Sequence, residues 1–324
     1  MQKPLLILAS VFVSLLIAFS CSRSNPGAPP PKPVDTTAPL SGEYIVSTLT
    51  TFSTPNDYPM GVTIAPDGNF YTTNNRGNIW KVSPAGIQSL VTTMSGRTSD
   101  IAADGQGNLY VLNVDQRKIL RITPSGVTTV FAGGAANPVD GQGTAAGFNG
   151  LEAGCFDNNG ILYVLDGENI RTVDPSGLVK TIYTEPSPIA GLNAIAVDGA
   201  HNIYYADGFE VLRLDPQGNR TLIAGQTKAG ALDGTGANAQ FTGIFGLILD
   251  KSGNLVVADE SLVRLISPAG VVSTIAGSSA VLDSTDGPGN LARFHFAIGV
   301  TLDANGAIYI ADDVNLKLRK IVHK

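Results

Sequence analysis

The stretch GLILDKSGNLVVADESLVRLISPAGVVSTIAG, residues 246–277, decides the fold because the chain repeats it. It reads as a short apolar strand, a D-x-x-G-N turn, a second strand (NLVVAD), a polar turn, a third strand (LVRLI), and a P-A-G hairpin into a fourth strand (VVSTIAG). Apolar and β-branched residues alternate between turn residues, which is the pattern of antiparallel hairpins. The same order of signals recurs over residues 61–93, 100–133, 154–184, 194–225 and, cut short, 299–322. Equivalent first-strand positions fall at Gly61, Asp100, Ala153, Ala194, Gly246 and Gly299, at intervals of 39, 53, 41, 52 and 53 residues. Four strands per unit at this spacing predict an all-β chain, a six-bladed β-propeller of four-stranded antiparallel blades.

The sixth copy stops at Lys324 without its fourth strand, and EYIVSTLTTF at 43–52 has the pattern of the missing one. An N-terminal strand completing the last blade would close the ring and remove the sheet edges that invite pairing with other chains. The three long intervals each carry DGxGxxAxF, as DGQGTAAGF at 140–148, DGTGANAQF at 233–241 and DGPGNLARF at 286–294. These runs lack the G-K-[ST] of a phosphate loop and the acidic spacing of an EF-hand, so they read as joints between blades. In that reading Asp233 is a turn residue, Ala145, Ala239 and Ala292 pack inward, and Phe148, Phe241 and Phe294 fill the wedges between blades.

Outside the repeats, MQK followed by PLLILASVFVSLLIAFS has the layout of a secretory signal over residues 1–20, too short to favour a spanning helix. Cys21 follows at once, and IAFSCS resembles a bacterial lipoprotein signal, in which the cysteine becomes the lipidated first residue. Residues 21–42 are rich in proline and serine and read as a flexible linker, leaving 43–324 as the propeller. The expected location is the bacterial cell envelope, lipid-anchored to the outer membrane or cell surface, with a secreted or periplasmic protein as the alternative. The net charge of −6 and the absence of a basic cluster exclude a nucleic-acid footprint.

GVTLDANGAIYIADDVNLKLRKI, residues 299–321, is similar to the NHL repeat, and the resemblance extends over about 43–324. It implies the propeller fold, but NHL-type propellers include binding scaffolds, sensor domains and a few enzymes, so it implies no single activity. The propeller amidating lyases use a histidine-bound zinc, and the dispersal of His201, His295 and His323 speaks against that likeness. Propeller lactonases hold a divalent metal through Glu, Asn and Asp, which Glu152, Asn193 and Asp259 could imitate.

Ligand candidates come from places where the repeat is broken. By strand order, the interblade loops and the turns after the second strands share one end of the propeller, thickened by the three insertions. Met60, Ser99, Glu152, Asn193, Phe245 and Ile298 occupy equivalent positions just before the first strands, and Asp100 replaces glycine or alanine. Arg97, Asp100, Glu152 and Asn193 would form a polar crescent facing Met60, Phe245 and Ile298, with His295 on the same face. A second set, Asn74, Asn113, Asp166, Asp207, Asp259 and Asp312, ends each second strand. It would form either a ring for a cation or polyol or a set of caps on the following turns. His201 stands where a D-x-x-G-N turn needs a left-handed residue, and Cys155 sits at an apolar core position. No G-x-S-x-G elbow is present. The expectation is a non-catalytic module binding a small molecule, glycan or protein on the insertion-bearing face without a cofactor. The alternative is a metal-dependent lactonase or lyase with Ca or Zn at the channel mouth.

Overall fold

The computed structural model describes residues 44–53 and 57–324. Six antiparallel sheets each run from a first strand at one edge to a fourth at or near the other, in sequence order in five of them. The first strands are Pro59–Ile64, Thr98–Ala103, Leu151–Phe156, Leu192–Val197, Ile244–Leu249 and Ala297–Leu302, belonging to blades 1 to 6. Each lies against the first strands of the blades before and after it, and that of blade 6 lies against that of blade 1. The chain is therefore a closed six-bladed propeller whose first strands surround a central channel. Helix is confined, among the described residues, to two three-residue 3-10 turns, Gly143–Ala145 and Gly236–Asn238.

Closure follows the expected route. The strand Tyr44–Thr51 pairs antiparallel with Lys317–His323, setting Val46 opposite Ile321, and so becomes the fourth strand of blade 6. Val46 is buried there with Ile275, Phe294, Ile310 and Ile321.

The sheet edges differ from a uniform four-stranded blade. Blades 3, 5 and 6 gain a fifth, two-residue strand at their outer edge: Gly141–Gln142, Gly234–Thr235 and Gly287–Pro288. These pieces come from the DGxGxxAxF joints, which thus cross from one blade to edge the next. Phe148, Phe241 and Phe294 are fully buried, as are Ala146, Ala239 and Ala292. Phe148 is buried in one apolar cluster with residues of blades 2 and 3, including Leu112 and Val164. Ala145 corrects the expectation: it ends the 3-10 turn and is exposed, and its neighbour Ala146 is the inward residue.

The D-x-x-G-N turns explain their own sequence. Asp104, Asp157, Asp198, Asp250 and Asp303 each accept backbone N–H bonds from residues two and four positions later, at 2.8–3.0 Å. These five Asx turns leave one position left-handed, filled by glycine in four blades and by His201 (φ 62°) in blade 4.

Candidate functional site

Met60, Ser99, Glu152, Asn193, Phe245 and Ile298 are the second residues of the six first strands, inside the sheet rather than before it. At each of them the pairing with the second strand slips, for example between Thr98 and Asp100 and between Ile244 and Gly246. A β-bulge re-aims the side chain that it releases from the ladder, and all six residues line one cavity of about 520 Å³. This cavity follows the first strands from Glu152 and Phe245 at the insertion-bearing end to Phe156 and Leu249 at the other.

Its polar side is built on blades 2 and 3. Asp100 accepts a backbone N–H bond from Ile101 at 2.8 Å and one from Gly154 of the neighbouring first strand at 3.0 Å. Burial raises its carboxyl to about 6, although both bonds favour the charged form. Gly61 opposes it: a Cβ at that position would run into Oδ1 and the backbone of Asp100. Glu152 stands at the open end, its carboxyl raised by partial loss of water, with the positive charge of Arg97 acting the other way. Ser99 donates its hydroxyl to the carbonyl of Leu151 at 2.9 Å, and Asn193 lines the cavity on blade 4. Burial, followed by the charges of Asp100 and Asp157, pushes the Cys155 thiol upward, so the channel holds no activated thiolate.

The opposite side is built on blades 5 and 6. Phe245 meets Phe296 with ring centroids 4.9 Å apart and planes tilted by 41°. Sequence reasoning missed Phe296, whose position is Gly150, Gly191 and Gly243 in blades 3 to 5. Phe296 keeps a left-handed backbone (φ 75°) where Gly191 has φ 95°, and its side chain lines the cavity beside Ile298. A bulky residue in that region costs on the order of 1–3 kcal/mol. The signal was in the sequence, as an aromatic where three blades have glycine.

Asp100, Glu152, Asn193 and Phe245 are thus brought to one cavity, while the other candidates lie elsewhere. Arg97 is held by Asp115, through Nε at 3.0 Å and a second contact at 2.9 Å, and is not part of the lining. His295 sits in the loop before the first strand of blade 6, its backbone N–H donated to Asp312 at 2.8 Å, also outside the lining. Asp259 is fully buried away from the cavity and does not join Glu152 and Asn193. Its carboxylate accepts from the Thr242 and Gly243 N–H groups and from Arg264. Among the described residues, no three His, Cys, Asp or Glu side chains are grouped so that they could share a metal ion.

The six residues that end the second strands are all buried. Asn74 and Asn113 do cap the following turns, accepting from Arg76 and from Gln116 at 2.9 Å. The four aspartates reach back to the loop entering their own blade, as Asp207 does to Ile189 and Asp166 to Asn149 and Gly150, and Asp312 also accepts from the Asn315 amide in the following turn.

Three of those aspartates belong to an arrangement the sequence reading missed. Arg171, Arg264 and Arg319 lie on third strands, at most 2% exposed, where the other blades have Trp80, Leu120 and Leu212. Each bridges a second-strand aspartate and a joint aspartate: Asp166 and Asp140, Asp259 and Asp233, Asp312 and Asp286, at 2.6–2.9 Å. Each guanidinium also lies over a joint phenylalanine, 4.9–5.1 Å from the ring centre. Asp233 is therefore an ion-pair partner that also accepts from the Thr274 hydroxyl at 2.8 Å, not a plain turn residue. The signal was co-occurrence: arginine appears on a third strand at this register only in blades preceded by the joint motif.

No protein family's model matches the chain. Among curated proteins it is similar to Teneurin-3 of Danio rerio, 25% identical over 329 aligned residues, with 82% of this chain and 12% of the relative covered. Teneurin-m of Drosophila melanogaster is 22% identical with the same coverage, 82% and 12%, so the chain spans a small part of these relatives' length. Among solved structures, an auxiliary nutrient binding protein from Bacteroides ovatus ATCC 8483 superposes with a TM-score of 0.70 at 18% identity, covering 87% of this chain and 77% of that one. A similar protein from Bacteroides thetaiotaomicron VPI-5482 gives 0.70 at 17%, over 86% and 76%. A gluconolactonase from Xanthomonas campestris gives 0.62 at 13%, over 86% and 89%. At these identities the likeness is one of fold, and the fold is the six-bladed β-propeller.

Proposed function

We propose that this chain is an exported, lipid-anchored propeller of the NHL type that binds a small ligand, without catalysing its conversion, at the insertion-bearing mouth of its channel. The observation that carries the reading is the two-sided cavity. Asp100, Glu152 and Asn193 face Met60, Phe245 and Phe296 at positions where the repeat is broken, and a preformed concave site with a few convergent polar groups is the ordinary form of a ligand site. The nutrient-binding proteins among the structural neighbours fit a binding role. The ion-paired state of Asp259 and the raised thiol of Cys155 leave the cavity short of an evident metal set or nucleophile.

Isothermal titration of the full chain against small glycans, short peptides and organic ions tests the binding reading. Binding that weakens at least tenfold in Phe245→Ala or Glu152→Ala supports it. Turnover of a lactone panel, with stoichiometric Ca or Zn in the purified protein lost on Glu152→Ala, would overturn the non-catalytic reading. Cys21 lies outside the described residues. Cys21→Ala should yield a chain without an acyl group that is released from membranes, and a wild-type chain found soluble and unacylated would rule out the anchor.

A further inference from the structure

The ring order of the blades gives the cavity a polarity that neither the repeat nor the candidate residues show alone. In a six-membered ring, blade 2 stands across from blade 5 and blade 3 across from blade 6. Asp100 and Glu152 are on the first strands of blades 2 and 3, Phe245 and Ile298 on those of blades 5 and 6, with Phe296 immediately before the last. The acidic arc thus faces the aromatic arc across the channel. Among the described residues, Asp100 and Glu152 are the only charged ones of the lining, which includes no lysine, arginine or histidine. Arg97, the cation nearest in charge effect to Glu152, is engaged by Asp115 outside it.

We propose that this cavity takes an amphipathic organic cation, with an ammonium head at Glu152 and Asp100 and an aromatic or branched apolar body against Phe245 and Phe296. The assignment rests on the binding reading above and narrows it. An anion would meet two carboxylates with no counter-charge in the lining. A sugar, with hydroxyls around its whole rim, would set several of them against Met60, Phe245, Phe296 and Ile298, where buried hydroxyls lose their water without gaining a partner. An ammonium with an apolar body satisfies both walls at once. Its N–H groups make charge-assisted bonds to carboxylates in a partly dehydrated space, where such bonds are stronger than in water. Its body covers the aromatic pair held by the left-handed Phe296 backbone. A cavity of about 520 Å³ is in the range that accepts a molecule of this size.

The test is titration calorimetry of the full chain with four probes: phenethylammonium, 2-phenylethanol, 3-phenylpropionate and maltotriose. The first three share a phenyl group and differ in head-group charge. Phenethylammonium should bind at least tenfold more tightly than 2-phenylethanol, and 3-phenylpropionate and maltotriose should bind more weakly still. Glu152→Gln should remove most of the preference for the amine while leaving the alcohol unchanged, and Phe245→Ala should weaken amine and alcohol together. Unchanged unfolding midpoints in both variants keep folding out of the comparison. If the alcohol or maltotriose binds as tightly as the amine, and Phe245→Ala weakens it, the cation assignment is overturned and the binding reading stands. If none of the four binds, the cation assignment is overturned, and the binding reading falls as well only if the wider panel of glycans, peptides and ions also fails.

Discussion

Asp100 occupies a position that the other five blades give to glycine or alanine, and the exchange introduces a titration. Its carboxyl is raised by burial from 3.8 to about 6, so the folded chain holds this proton more tightly than the unfolded one. The stability this supplies is fully present below pH 3.8 and lost as pH rises through about 6. Asp313, raised to about 6 by burial and by Asp312, adds to the same slope. The melting temperature should fall between pH 4 and 7, and Asp100→Asn should flatten part of that fall. A variant with the wild-type slope would mean that Asp100 stays ionised in the fold. The arginine triads respond differently. Arg264→Leu leaves the fully buried Asp259 without its counter-charge, a loss of about 3–5 kcal/mol in urea unfolding. Adding Asp259→Asn to Arg264→Leu should recover part of that loss, because the stranded charge is then gone.

Strands and joints set tolerances of their own. Gly61, Gly246 and Gly299 lie where neighbouring first strands approach so closely that a Cβ would strike the next strand's backbone. Gly61→Ala should therefore lower the melting temperature more than Ala194→Gly does at the equivalent position of blade 4. Phe241→Ala empties a wedge between blades 4 and 5 and should cost about 3–5 kcal/mol in denaturant titration. A chain lacking residues 44–51 leaves Lys317–His323 with an open edge, and gel filtration should show self-association that a peptide of those residues reverses. The repeat was legible because each hairpin is local, with its strand pattern and turn residues within about ten positions. The outer fifth strands were not, since Gly141–Gln142 pairs with Leu178–Val179 in a blade that the sequence has not yet begun at that point. For the same reason Asp233 read as a turn residue, its partner Arg264 lying 31 residues further on.

The closed ring turns separate departures from the repeat into one site. Glu152 and Phe245 could be singled out by position, but their facing each other follows only once six blades are counted around a circle. Arg97 and His295 had the right place in the sequence but do not line the cavity, the one bound to Asp115 and the other set in a loop tied through its backbone to Asp312. Which way a loop residue points depends on the neighbours its backbone is fastened to, and no period in the sequence encodes that. The ring also has a consequence in time. The outer strand of blade 6 is Tyr44–Thr51, and its partner Lys317–His323 lies near the opposite end of the sequence. On a growing chain, the strand made first must wait for the one made last, while five blades can form in between. Contacts between segments so distant in sequence form slowly. The closing contact is therefore expected to form late, and until it does Tyr44–Thr51 has no partner in blade 6 and Lys317–His323, already paired with Ile308–Asp312, keeps one open edge.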